Sequence, residues 1–531
     1  MSPTHENLPN DVNALKDVII ENYHEMQRMK ENNRLLKAAI YGKKSEKKIL
    51  NSDNGYLQSS FPGFGDEETI SAKEKEVVET IKVKTYNRKK RGRKPLPAHL
   101  PVIEKLIDIP DDAKLCGCGC QKSIIGQEVH NALTHIPAQY SILRTIRLKY
   151  ACKNCEGTED QGPTVTIAPR PAQIIPKSFA TSSLLAYIMA AKFADALPFY
   201  RLSKIFQRQG IALGRGTMAN WTIALSKLLE PMVEAIQDLI LKYPVAYADE
   251  TPLQVLKEEG REASKKSFMW VFCGGPPDKK AVIFKYSRTR AADVPLNFFG
   301  NYSGHIMSDG YSVYKYVDKV NGENENKRLR CWTHGRRKFT DVIKAAGKDA
   351  EPGVSHKVVK IIAKLYSIEK EAKEGNLNAN ERHKLRQLKA KPILEVLHNK
   401  LNTWKKALPP KSKAGNAVQY FLNDWDVFKS YIDDGRFPID NNLAENAIRP
   451  FVVGRKNWLF CNTPAGARAM ATILSIIETA KANNIEPYWY MRILFEKLPY
   501  LKTKKDFLQY LPQNIDRALI DKLKKDTIGC G

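Results

Sequence analysis

The chain has 531 residues, which at roughly 150 per domain implies three or four domains rather than one core. Hydrophobic residues at 43% and aromatics at 9% exclude a wholly disordered chain. Lysine plus arginine number 85 against 58 acids, a net charge of +27, which disfavours a generic metabolic enzyme and points to a polyanionic partner, nucleic acid before anionic membrane.

No apolar run reaches the ~18 residues a spanning helix needs; the best, Leu184 to Phe199, contains Lys192 and Asp195. The N-terminus is polar and acidic, so no secretory signal is expected. A soluble intracellular protein is the expectation.

Residues 1–42 carry a 3-4 repeat of Val12, Leu15, Ile19, Asn22, Met26, Met29, Asn33, Leu36 and Ile40. Such a seam predicts a coiled coil that pairs copies of the chain, its asparagines fixing register; a helix packed on its own chain is the alternative. Residues 43–95 read as a linker ending in a basic run with Arg88, Lys89, Lys90, Arg91, Arg93 and Lys94. These cations would neutralise phosphates with a steep salt dependence, and Arg91-Gly92-Arg93 suits a narrow minor groove.

Five of the nine cysteines, Cys116, Cys118, Cys120, Cys152 and Cys155, cluster within residues 96–160. Thiolates in two pairs close a tetrahedral structural zinc site. The second pair is Cys152 with Cys155; in the first, Cys116 with Cys120 is favoured over pairs that include Cys118. Ile142, Ile146 and Leu148 alternate between the pairs as in a strand.

Residues 161–236 turn helical. A helix from Tyr200 to Gly210, a glycine-containing turn and a second helix opened by Thr217 resemble a helix-turn-helix, a weak signal alone.

Residues 237–460 change to strand period. Strands end in Asp249 and, after a β-meander and a helix from Thr289 to Phe299, in Asp309. This is the order of a ribonuclease H-like fold, in which the first and fourth strands are neighbours and the two aspartates face each other. Two Mg²⁺ ions about 3.5–4 Å apart can activate an attacking oxygen and stabilise a leaving one, and holding them needs several convergent carboxylates. A third acid is expected on a helix capped by Asp440 or Asn441, carrying Glu445 and Arg449 and ended by Pro450. Arg455, Lys456 and Trp458 beyond it suit phosphates and stacking. About 135 residues separate Asp309 from Glu445; the periodic Val358, Ile361, Leu365, Ile368 and Leu394, Leu397, Leu401, Trp404 predict a helical insertion at about 340–430. Residues 461–531 read as a helical, basic C-terminal region.

The chain resembles bacterial insertion-sequence transposases of the sixty-six family, DDE-type enzymes. The resemblance rests on Ile40 to Lys47, Gly92 to Pro97, the cysteine cluster, Ala248-Asp-Glu-Thr251, Ser308-Asp-Gly-Tyr311, Cys331 to Phe339, Asp440 to Pro450, Gly454 to Phe460 and Ser475 to Lys481. It implies a multidomain α+β protein with a ribonuclease H-like core, a metal-binding catalytic triad of Asp249, Asp309 and Glu445, and a DNA path lined by Trp332, His334 and Arg337. It further implies binding of terminal inverted repeats, strand cleavage and transfer with two Mg²⁺ (Mn²⁺ substituting), homo-oligomers, element-encoded accessory proteins and a bacterial cytoplasmic, nucleoid-associated location. His334 reads equally as a core histidine. A nuclease that does not join, and a DNA-binding regulator on a disused scaffold, remain alternatives; the three acids weigh against the regulator.

Overall fold

The computed structural model describes residues 11–41, 139–151, 165–300, 302–314, 328–346 and 351–528. The basic run of residues 88–94 and the five clustered cysteines lie outside them. The described residues fall into two compact units, one drawn from residues 51–170 and the other from 1–50 and 171–531.

Helix α1 (Val12–Tyr41) is unbroken. It touches two helices of the insertion described below, yet its seam residues Val12, Ile19, Met26 and Met29 stay exposed. In the smaller unit, β1 (Lys149–Ala151) and β2 (Val165–Ile167) pair antiparallel, with Lys149 opposite Ile167. Ile142, Ile146 and Leu148 are exposed and precede the paired segment. Alternation alone does not make a strand where the ladder is three residues long.

Helix α2 (Ser182–Phe193) is capped by Thr181, whose hydroxyl accepts the Leu184 N–H at 3.3 Å. Helices α3 (Phe199–Arg208) and α4 (Arg215–Leu241) follow. The expected cap at Thr217 is not realised: Gly214 is the N-cap, and α4 runs for 27 residues. Its length comes from burial, because Leu225, Leu229, Met232, Ile236 and Ile240 form one apolar stripe. Helices α2 to α4 fall in the same compact unit as the sheet.

The sheet comprises β3 (Val245–Gln254), β4 (Lys266–Gly274), β5 (Ala281–Ser287), β6 (His305–Ser308) and β7 (Arg328–Arg330), in the spatial order β5-β4-β3-β6-β7. The meander β3-β4-β5 is antiparallel, while β6 and β7 run parallel to β3. Between β5 and β6, α5 (Asp293–Phe299) stacks Phe298 on Phe272 with centroids 3.8 Å apart. It starts later than the sequence suggests, and before it the Arg290 carbonyl accepts the Tyr311 hydroxyl at 3.1 Å, which ties that residue to the loop after β6.

The insertion holds α6 (Trp332–Ala346), α7 (Val354–Glu374), α8 (Ala379–Leu385), a π-turn at Arg386–Ala390, α9 (Lys391–Ala407), α10 (Lys413–Asn423) and α11 (Trp425–Lys429). Val358, Leu365, Leu394, Leu397 and Leu401 pack there with Trp332, Phe421 and Phe428. Ile361 and Trp404 are only partly buried.

The chain then returns through α12 (Asn442–Trp458), α13 (Pro464–Ala482), α14 (Pro487–Lys497), α15 (Lys504–Gln509) and α16 (Arg517–Ile528). Pro450 does not end α12, which runs 17 residues through it. A proline inside a helix forfeits one hydrogen bond; here Ile448, Phe451 and Val452 are buried on either side, and that packing holds the helix together.

Helix α13 closes the open edge of β5 with side chains spaced four apart. Ser475 Oγ accepts the Phe284 N–H at 2.8 Å. Thr479 Oγ1 accepts the Val282 N–H at 3.0 Å and donates to the Val282 carbonyl at 2.9 Å. Asn483 Nδ2 donates to the Lys280 carbonyl at 2.7 Å. Edge amides and carbonyls need such cover. Thr479→Val keeps the shape but orphans two buried backbone groups, so chemical denaturation should show a loss of about 1–3 kcal/mol; an unchanged midpoint would contradict this role.

Candidate active site

Strands β3 and β6 pair in parallel as far as Tyr247 opposite Met307. Two residues further along each chain stand Asp249 and Asp309, so continuing the register brings them side by side. Asp249 is mid-strand rather than terminal, because β3 goes on pairing with β4 to Gln254; it lies where the parallel pairing stops. Its Oδ1 accepts the Glu250 N–H at 2.9 Å. Burial, then the charges of Glu250, Asp309 and Glu445, push the Asp249 carboxyl well above the usual range. Two of the three charges in that repulsion belong to the other expected acids.

Asp309 sits in a tight turn, its Oδ1 accepting the Tyr311 N–H at 2.8 Å. The turn needs Gly310: its φ is +92°, and a Cβ there would meet the guanidinium of Arg330 at 1.0 Å. That buried guanidinium is ion-paired with Asp424, and the Tyr420 hydroxyl donates to the Asp309 carbonyl at 2.9 Å. The insertion thus braces the loop from behind.

Glu445 lies on α12 and is 4% exposed. Asn441, at the helix N-cap position, makes no capping bond; its Nδ2 donates to the Ala248 carbonyl at 3.0 Å, beside Asp249. Asp440 Oδ1 instead accepts the Asn442 N–H at 3.2 Å. From the insertion side, the Asn441 N–H donates to Cys331 Sγ at 3.2 Å and the Trp332 N–H to the Ile439 carbonyl at 3.1 Å. His334 Nδ1 stands 3.4 Å from Glu445 Oε1. Burial lowers the His334 pKa, opposed by Asp309 and Glu445.

The sequence reading missed Glu250, Arg290 and Tyr314. Glu250 accepts from Arg290 Nε at 2.8 Å and from the Tyr314 hydroxyl at 2.9 Å, and Arg290 covers the Tyr311 ring at 3.7 Å. Burial and Asp309 raise the Glu250 pKa to about 7 despite that arginine. Its adjacency to Asp249 was the available signal. A folded state that keeps protons the unfolded chain has released loses stability as pH rises through that window. Stability in chelator should therefore fall between about pH 5 and 7, by on the order of 1–3 kcal/mol. Glu250→Gln should flatten the slope; an equal slope in that variant would contradict the assignment.

The expected DNA-contacting residues divide. Trp332 is fully buried, its indole N–H donating to the Phe428 carbonyl at 3.0 Å among Phe421, Trp425 and Tyr431. It is a core residue of the insertion and cannot stack on a base. Arg455 spends Nη1 on Thr251 Oγ1 at 2.9 Å and on the Pro252 carbonyl, so it fastens α12 to β3. Trp458 is half-buried against Phe451 and Lys192. Arg337 and Arg449 are half-buried and Lys456 is exposed.

The convergence of Asp309 and Glu445 on Asp249, whose pKa their charges help to raise, together with the buried Glu445 Oε1 that makes no hydrogen bond, is a donor set suited to hard divalent cations. No described helix is long and apolar enough to cross a membrane.

Residues 177–469 match the family model described as "Transposase IS66 family", and residues 475–513 the "IS66 C-terminal element". Residues 113–156, which include all five clustered cysteines, match the "zinc-finger binding domain of transposase IS66". Residues 28–104 match "Transposase C of IS166 homeodomain". Among curated proteins of Sinorhizobium fredii, the uncharacterized protein y4jD is 30% identical over 511 residues, 94% of this chain and 95% of that one. Uncharacterized protein y4qI is 32% identical over 412 residues, covering 75% and 72%.

Proposed function

The chain belongs to the IS66 family of transposases, and from that premise we propose that it binds the terminal inverted repeats of its element, cuts there and joins the freed 3′-hydroxyl to target DNA. The observation that carries the reading is the parallel β3–β6 pairing, which ends two residues short of Asp249 and Asp309 and so leads to both, with Glu445 near enough on α12 to raise the Asp249 pKa. The sheet order, with its antiparallel meander followed by two parallel strands, supports a ribonuclease H-like core interrupted by the helical insertion.

In this reading Asp249, Asp309 and Glu445 hold two divalent cations, Mg²⁺ with Mn²⁺ as substitute, which would supply activation of the attacking oxygen and charge stabilisation at the leaving one. The chain's own residues set the geometry. Asn441 fixes α12 against β3, Gly310 shapes the turn at Asp309, and Arg290 holds Glu250 off the cations. Arg337, Arg449 and Lys456 offer charge to the DNA backbone. The basic run at residues 88–94 and the first turn of α4, with exposed Arg215 and Thr217, would add contacts to the ends. Cys116, Cys118, Cys120, Cys152 and Cys155 would supply the ligands of a structural Zn²⁺, and α1 would pair subunits so that two ends meet.

The test is a joining assay with labelled duplex carrying the element's inverted repeat, Mg²⁺ and target plasmid. Nicked ends followed by joined product support the reading. Nicks without joining would make the protein a nuclease, and binding without either would make it a regulator.

A further inference from the structure

His334 stands in the first turn of α6. Two constraints aim it: the Trp332 N–H is held by the Ile439 carbonyl at 3.1 Å, and α6 presses so closely on Phe421 that a Cβ at Gly335 would lie 2.4 Å from that ring. The helix has no room to rotate. The imidazole is thereby directed at Glu445, with Nδ1 3.4 Å from Oε1. Both atoms are buried and neither makes a hydrogen bond.

The distance is informative. At 3.4 Å the pair is looser than the about 2.7–3.2 Å of an N–H···O bond and than the roughly 2.9 Å between adjacent ligands of an octahedral ion with bonds near 2.0–2.1 Å. A small contraction around an ion would satisfy both orphaned atoms together. Cys331 Sγ lies within 4.8 Å of both, but it already accepts the Asn441 N–H, and a soft sulfur is a poor ligand for a hard cation.

We propose that His334 is a fourth ligand of the divalent-cation site, joining Glu445 on one ion, and that its imidazole makes this site favour Mn²⁺ over Mg²⁺. The proposal rests on the carboxylate site put forward above. Imidazole nitrogen suits later first-row ions better than Mg²⁺, which prefers an all-oxygen shell. The sequence order supports a shared role: Cys331-Trp-Thr-His334 follows directly from β7, the neighbour of the Asp309 strand.

The experiment is Mn²⁺ and Mg²⁺ titration of the full chain, with pulsed electron paramagnetic resonance of the bound Mn²⁺. Wild type should show coupling to a directly bonded nitrogen. His334→Asp should lose that coupling and narrow the Mn²⁺-over-Mg²⁺ preference by at least about tenfold, the loss that disturbing only a metal's outer shell can cause. His334→Gln, with folding verified by circular dichroism, should weaken Mn²⁺ binding without restoring Mg²⁺. If wild type binds Mn²⁺, loses it in Asp309→Ala, and still shows no nitrogen coupling, His334 is no ligand and the carboxylate site survives. If Asp309→Ala binds Mn²⁺ as wild type does, the carboxylate site fails, and this proposal with it.

Discussion

Asp309→Asn is expected to leave DNA binding intact and to lower both end cleavage and joining by at least about a thousandfold, since a metal-held charge supplies several kcal/mol to the transition state and each 1.36 kcal/mol is tenfold. The substitution is nearly isosteric. The amide oxygen can still accept the Tyr311 N–H that shapes the turn, so the loop should survive. What disappears is one negative charge from a cluster whose members already repel: Asp309 helps raise both Asp249 and Glu250. The metal-free variant should therefore be no less stable than wild type, and its melting temperature should respond less to Mg²⁺. Loss of activity with a preserved fold and preserved binding is the signature of a metal ligand. Wild-type cleavage by Asp309→Asn would remove Asp309 from the chemistry.

Arg386→Met should produce the largest stability loss in the insertion. Arg386 is fully buried. It forms a two-pronged pair with Glu369, at 2.8 and 2.9 Å, and donates to the carbonyls of Tyr431, Asp434 and Phe437. Gly435 lets this loop come close, because a Cβ there would sit 1.8 Å from the Ala379 carbonyl. Removing one partner of a buried ion pair costs about 3–5 kcal/mol, and three carbonyls lose their donor as well. Urea denaturation should show the loss, and Arg386→Met with Glu369→Leu should recover part of it. The same loop leads within a few residues to Asn441 and Glu445, so cleavage should fall even where the protein remains folded. A change below about 1 kcal/mol would place the loop's stability elsewhere, in the range of an exposed pair.

The carboxylate-bearing strands were legible because β-meander residues alternate, turn residues punctuate them, and each aspartate follows a short apolar run. The neighbour relation of β3 and β6 also followed from element order. In the edge cover, Ser475 and Thr479 were visible only as part of a motif and Asn483 lay beyond it, since polar residues spaced four apart do not reveal which backbone groups they meet. Pro450 misled because propensity prices a lone helix, whereas α12 is held by Phe451 and Val452 beneath it. Trp332 and Arg455 misled for a shared reason. An indole or guanidinium beside a catalytic motif suits DNA, and only the fold reveals the Phe428 carbonyl and Thr251 hydroxyl that already occupy them. The pairing of Glu250 with Arg290 was illegible because it joins residues 40 apart.

The most direct test of the central claim is anomalous scattering from crystals of the full chain grown with Mn²⁺. Two peaks about 3.5–4 Å apart, within bonding distance of Asp249, Asp309 and Glu445, are the expected result. Peaks away from these three acids, or none while Mn²⁺ supports cleavage in the same preparation, would contradict it.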